Sequence, residues 1–130
     1  MISNTAEFIA GLTAYVNTLI PCYYESASLT GGYPYAVVNG LLVSSLNSGD
    51  LVPFYIDVYA DETQQNATVA LEEACDLLRN NLNNRTIYST GVFYATIGFD
   101  TQGTTGESEF DLTHRKLSLT ARIFYTGGSN

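Results

Sequence analysis

"VPFYIDVYA", residues 52–60, alternates strictly between apolar and other side chains along the register that matters. Phe54, Ile56 and Val58 fall on one side of an extended chain, and Tyr55, Asp57 and Tyr59 on the other, because successive side chains of a strand point to opposite faces. The stretch predicts a strand with one core face. It also places an acid between two tyrosines on the face turned away from the core. Whether that acid is catalytic or belongs to a surface that meets another protein depends on its surroundings.

Downstream, residues 66–82 predict a helix. Asn66 is its expected cap, and Ala67, Ala70, Leu71, Ala74, Cys75, Leu78 and Leu82 form one apolar stripe. Glu72, Glu73, Asp76 and Arg79 cover the other side and read as a solvated face. Upstream, residues 4–20 predict a helix with Asn4 as N-cap and Glu7 three residues on. Phe8, Ile9, Leu12, Tyr15, Val16, Leu19 and Ile20 follow helical spacing, and Pro21 stops it.

"GGYPYAVVNGLLVSSL" (31–46) predicts one or two strands, with Asn39-Gly40 as a tight turn or bulge, and "NSGD" (47–50) a turn. "RTIYSTGVFYATIGF" (85–99) reads as one long strand with a bulge at Gly91. "DTQGTTGESE" (100–109) holds no apolar residue and reads as an exposed loop. "FDLTHRKLSLTARIFYT" (110–126) reads as a closing strand whose phase changes near His114–Lys116. The last two strands would form a long hairpin, with residues 127–130 frayed. The fold class is α+β: an antiparallel (mixed) sheet with two helices on one face, in a single domain.

Composition narrows the function. Thirteen acidic residues oppose five Lys and Arg, with no basic run. Gripping nucleic acid would need clustered cations, whereas an acidic wall lets DNA slide past without sticking. Tyr is overused, at 10 copies, and Trp is absent. Tyrosine suits surfaces that become buried on assembly. Cys22 and Cys75 are far apart, with no CxxC, and read as buried free thiols. No signal-like segment or membrane span is expected, so the protein is read as made and kept in a cytoplasm.

Chemistry finds few supports. A hydrolytic carboxylate pair would draw on Asp57 with Asp61 or Glu62. A nucleophile triad would need His114, the sole histidine, and no GxSxG surrounds a serine. No P-loop, GxGxxG or HExxH occurs. No catalytic, cofactor or metal site is expected. The remaining features concern assembly. Tyr55, Asp57, Tyr59, Asp61, Arg115, Lys116 and Arg122 are candidates for an intersubunit or partner interface, the cations pairing with acids such as Asp57 or Asp61 of the next copy.

The layout resembles the tail terminator, or tail-completion, family of long-tailed bacteriophages. The similar parts are an N-terminal helix, the "YPYAVV" lead-in to the first strands, "YIDVYADE" followed by "ATVALEEACDLLRNNL", and the closing "RKLSLTARIFYT". The resemblance covers about residues 5 to 126. It implies one tail-terminator-like domain over 1–130, assembled in the host cytoplasm into a virion without cofactor or enzymatic role. It implies a hexameric ring that ends tail-tube polymerisation and joins the tube to a neck protein, with DNA passing through the channel. Asp100, Gln102, Gly103, Thr105, Gly106, Glu107 and Glu109 would then form a tube- or lumen-facing loop. The alternatives are another neck or head-completion protein, a tail tube protein, or a small acidic enzyme or ligand-binding domain.

Overall fold

The alternating stretch is the fourth of seven strands in the computed structural model, which describes residues 4–24, 34–46, 49–61, 66–89, 93–104 and 112–125. The elements run α1 (Asn4–Asn17), β1 (Cys22–Tyr24), β2 (Tyr35–Asn39), β3 (Ser44–Leu46), β4 (Gly49–Asp61), α2 (Ala67–Leu82), β5 (Thr86–Ser89), β6 (Phe93–Thr104) and β7 (Leu112–Tyr125). They form one sheet in the order β1-β2-β4-β7-β6-β5, with β3 also paired to β4. Every pairing is antiparallel except β1 with β2. The fold is α+β with a long C-terminal β6–β7 hairpin.

One sheet face carries the core. Val52, Phe54, Ile56, Val58 and Ala60 of β4 lie beside Leu117, Leu119, Ala121 and Ile123 of β7 and Phe93, Ala95 and Ile97 of β6, all buried. Both helices pack on this face. From α1 come Phe8, Leu12 and Val16, and from α2 Leu71, Ala74, Cys75, Leu78 and Leu82. Phe8 meets Phe54 and Phe93 edge-on, with ring centroids 6.2 and 6.1 Å apart, the arrangement aromatic quadrupoles favour. Helix α1 packs against both edge strands, β1 and β5, and α2 against β4, β7 and β6.

Two bulges shape the sheet. Gly40, at φ 71°, ends β2, and the pairing with β4 resumes in β3 shifted by one residue. The displaced segment passes Pro53, where the Leu42 amide donates to the Pro53 carbonyl at 3.2 Å. The N and C=O of one antiparallel residue point to the same side. The proline's missing donor therefore faces this break, between the stretches of β4 that pair with β3 and with β2, and no regular ladder bond is lost there. The second bulge lies in β6, between Phe99 and Thr101. Asp100 is the extra residue, and its Oδ2 accepts from the Thr120 hydroxyl at 2.7 Å.

Several expectations change. Residues 85–99 are not one strand but two antiparallel ones, with Ser89 opposite Phe93. Residues 90–92, which include the bulge expected at Gly91, lie outside the described residues. A three-residue connection holding a glycine is the hairpin signal that a single-strand reading overlooks. Gly49 and Asp50 belong to β4 rather than to a turn. Asp100–Thr104 continue β6 rather than opening a loop. Strand β7 keeps an unbroken register with β4 from Ile123 to Leu112, so the backbone has no phase change at His114–Lys116. Helix α1 ends at Asn17, and its next turn tightens, with Leu19 N donating to Val16 O at 2.8 Å. Asn17 Oδ1 then accepts from the Cys22 amide at 3.0 Å and starts β1. Asn66 sits at the α2 N-cap but in the left-handed region, without a side-chain cap bond.

Two tests follow from this packing. Gly49 has φ 137°, and a Cβ there would lie 2.3 Å from the Ile123 carbonyl oxygen. Gly49→Ala is expected to lower unfolding free energy by about 1–3 kcal/mol in urea denaturation. Burial pushes both Cys22 and Cys75 thiols up to about 12 from 9.0. A thiol whose pKa is raised by folding contributes stability that is intact below about pH 8.5–9 and is lost as pH rises toward 12. At pH 8 the native thiols are expected to react at least about 100-fold more slowly with a disulfide reagent than in denaturant. Fast native labelling would contradict the buried placement.

Candidate functional site

The outer face of the sheet, opposite the helices, carries Tyr55, Asp57, Tyr59, Lys116 and Arg122 of the residues singled out in the sequence. Asp57 is 5% exposed, although it lies on this face. Val37 of β2 and Lys116 of β7 are its cross-strand neighbours. Its Oδ2 accepts from Asn39 Nδ2 at 2.6 Å, and its Oδ1 lies 2.9 Å from His114 Nε2. A carboxylate accepts and does not donate, so the proton on the second bond sits on Nε2. The acid is thus buried and bonded within its own chain.

Rings extend the network across four strands. Tyr23 of β1 meets Tyr35 of β2 at 6.0 Å, Tyr35 stacks on Tyr59 of β4 at 5.2 Å, and Tyr59 stacks on His114 of β7 at 4.4 Å and 11°. The register aligns Tyr35, Tyr59 and His114 directly, and cross-strand aromatic pairs stabilise a sheet. Tyr55 covers Gly40, where a Cβ would lie 2.4 Å from its ring. Lys116 Nζ lies 4.5 Å from the Tyr55 ring centroid, within cation–π range.

The cations are divided between faces. Arg115 points inward, where its Nε donates to Glu72 Oε1 of α2 at 2.6 Å and its Nη1 to the His114 carbonyl at 3.0 Å. The bulge at Asp100 reverses the alternation of β6, so Gln102 pairs with inward-facing Leu117, and its Nε2 lies 3.5 Å from Glu72 Oε2. Glu72 is therefore drawn into a polar end of the inner face instead of belonging wholly to a solvated cluster. Arg122 is exposed and makes no ion pair with a described residue. Pairing between Arg115 and a neighbouring copy was expected; the guanidinium is occupied within the chain.

A carboxylate pair is not assembled. Asp57 and Asp61 are four residues apart on one strand, about 13 Å at 3.3 Å per residue, beyond the spacing glycosidic hydrolysis uses. Glu62 lies outside the described residues. The Asp57–His114 pair could orient an imidazole, but both cysteines belong to the core on the other face, with thiols held neutral by burial. Among the described residues, no group of three or more His, Cys, Asp or Glu could hold a metal ion. No described helix is long and apolar enough to cross a membrane. Of the expected loop, Asp100, Gln102 and Gly103 are strand residues, while Thr105, Gly106, Glu107 and Glu109 lie outside the described residues.

Sequence reasoning missed one exposed feature of the outer face. Tyr88 of β5, Tyr94 of β6 and Phe124 of β7 stand side by side in register, all exposed, Tyr88 by 66% and Tyr94 by 51%. The cross-strand register that aligns them is invisible when 85–99 is read as one strand.

The fold itself has counterparts. The chain is similar to a protein from the virion of a native gene transfer agent particle: TM-score 0.59, 18% identity, 85% of each chain covered. A second solved structure is similar at TM-score 0.55 and 11% identity, over 97% of this chain and 95% of its own. At these identities the likeness is one of fold. No protein-family model matches the sequence, and no curated protein matches it.

His114→Leu leaves Asp57 with Asn39 alone of these two partners. It is expected to lower unfolding free energy by about 1–3 kcal/mol, while Tyr88→Ser on the exposed stripe should stay within about 0.5 kcal/mol of the parent. Urea denaturation of both variants checks this, and equal midpoints would show that the buried pair contributes nothing.

Proposed function

We propose that the chain is a structural protein of a phage-like virion, and within it the ring that ends tail-tube polymerisation at the head-proximal end. The observation that carries the reading is the fold likeness to a gene transfer agent virion protein, which extends over most of both chains. The sequence resemblance to tail terminators points the same way. An acidic chain with an excess of 8 negative charges suits a channel past which DNA phosphates slide. The partners are then further copies of the chain, the tail tube protein below and a neck protein above. The whole chain acts as one tail-terminator-like domain, needs no cofactor and catalyses nothing.

Within that reading the interface residues named from the sequence divide. Asp57 and Arg115 hold their own fold through His114 and Glu72. Arg122 and Lys116, neither in an ion pair with a described residue, are the cations left for a neighbour, Lys116 lying over the Tyr55 ring.

Disruption of the gene in its source genome, followed by negative-stain electron microscopy of the induced lysate, tests the proposal. DNA-filled heads beside detached, overlong tails are expected. Heads that leak DNA beside tails of normal length would move the protein to the head side of the neck. Absence of tubes altogether would make it a tube protein. Intact infectious particles would overturn a structural role.

A further inference from the structure

Two exposed apolar patches lie on opposite sides of the molecule, and each carries a charge of the opposite sign. On the outer sheet face, the Tyr88–Tyr94–Phe124 row stands next to the Thr96–Arg122 pair of the same two strands. Arg122 is exposed and without an ion pair among the described residues. Helix α2 lies on the other side of the sheet, and its outward surface exposes Val69 and Leu77. Glu73 falls midway between them at helical spacing and is also exposed. Arg79 is committed to Asp76 at 3.2 Å, and Glu72 to Arg115. Glu73 is therefore the exposed acid of this surface that has no ion pair with a described residue.

We infer that these two patches bind each other between copies of the chain: the aromatic row and Arg122 of one copy seat on Val69, Glu73 and Leu77 of the next. Three rings in line offer a rigid apolar surface at low entropic cost. A helix with two apolar side chains one turn above and below an acid fits such a surface, and the acid meets the cation at its margin. Isologous pairing of two aromatic rows would instead oppose Arg122 to Arg122 or leave it unpaired. The contact is heterologous, since a patch meets a different patch. Because the two patches face opposite ways, repetition propagates in one direction, and it yields a ring where the rotation closes. The contact between copies stands on this geometry; its role in closing a ring rests on the terminator reading.

Cross-linking tests the contact. Leu77→Cys and Tyr94→Cys are exposed changes, and native Cys22 and Cys75 are buried. The two variants are purified separately, mixed at high concentration, and treated with a short bismaleimide. The same treatment is applied to particles that carry both variants. The expected result is a mixed Leu77→Cys/Tyr94→Cys dimer in at least about fivefold excess over either homodimer, with Leu42→Cys as the exposed control. Glu73→Arg in the Leu77→Cys background should lower that yield about tenfold, and Arg122→Glu in the Tyr94→Cys background should restore it.

Tyr94→Cys homodimers in excess would overturn the heterologous pairing. Yields no higher than with Leu42→Cys, both in solution and in particles, would overturn the contact. Thermal unfolding of each variant shows that a lost cross-link is not lost folding. The lysate phenotype separates this test from the functional reading. Overlong tails with no cross-link would sink the contact alone. A cross-link with intact particles in the disrupted strain would sink the terminator role alone.

Discussion

Strand β4 is the constraint on which the rest depends. It is flanked by β2 and β3 on one side and β7 on the other, and its inward row from Val52 to Ala60 is buried at every position. Helix α2 buries its stripe against that row, and α1 reaches it through Phe8 on Phe54. The one interruption of its own ladders, between β2 and β3, serves this strand. Gly40 breaks β2 where Pro53 has no amide hydrogen to give, and the glycine leaves room for the Tyr55 ring. A proline in a central strand ordinarily argues against the strand. Here the partner strand is the one that yields.

The outer face shows how an acid can be buried without a cavity. Asp57 is held by one amide and one imidazole, and the Tyr35–Tyr59–His114 stack, met edge-on by Tyr23, runs beside it across the sheet. Removing a charge from water is costly unless hydrogen bonds replace the lost solvation. Asn39 and His114 provide two such bonds. Three different strands contribute to this arrangement, so it fixes β2, β4 and β7 in one register.

Much of the fold was legible because it rests on local periodicity. The alternation from Phe54 to Val58 marked the core strand, the Leu71–Leu82 stripe marked the second helix, and Leu117–Ile123 marked the closing strand. The failures lie where periodicity is interrupted. Asp100 bulges out of β6 and reverses which residues face inward, so a polar stretch that is strand looked like loop. The parallel β1–β2 pair involves three residues of β1, too few to show a pattern. The site was harder still. Nothing local told that Asn39 and His114 would both reach Asp57, since they stand 18 and 57 residues away in sequence. Nor did spacing reveal that Arg115 would turn inward to Glu72 while its neighbour Lys116 turned outward to Tyr55.

The strand order also sets a timetable. Among the described strands β7 is synthesised last, yet it lies in the middle of the sheet, between β4 and β6. Until it leaves the ribosome, β1–β4 and β5–β6 have no shared ladder, and the inward rows of both remain open to solvent or to a chaperone. Helix α1 rests on both edges of the finished sheet, β1 and β5, and before β7 is made those edges belong to separate half-sheets. Contacts this distant in sequence close slowly, and the centre of the sheet is completed only once β7 is available. A chain cut short before β7 therefore holds the strands of two half-sheets and lacks the one that joins them.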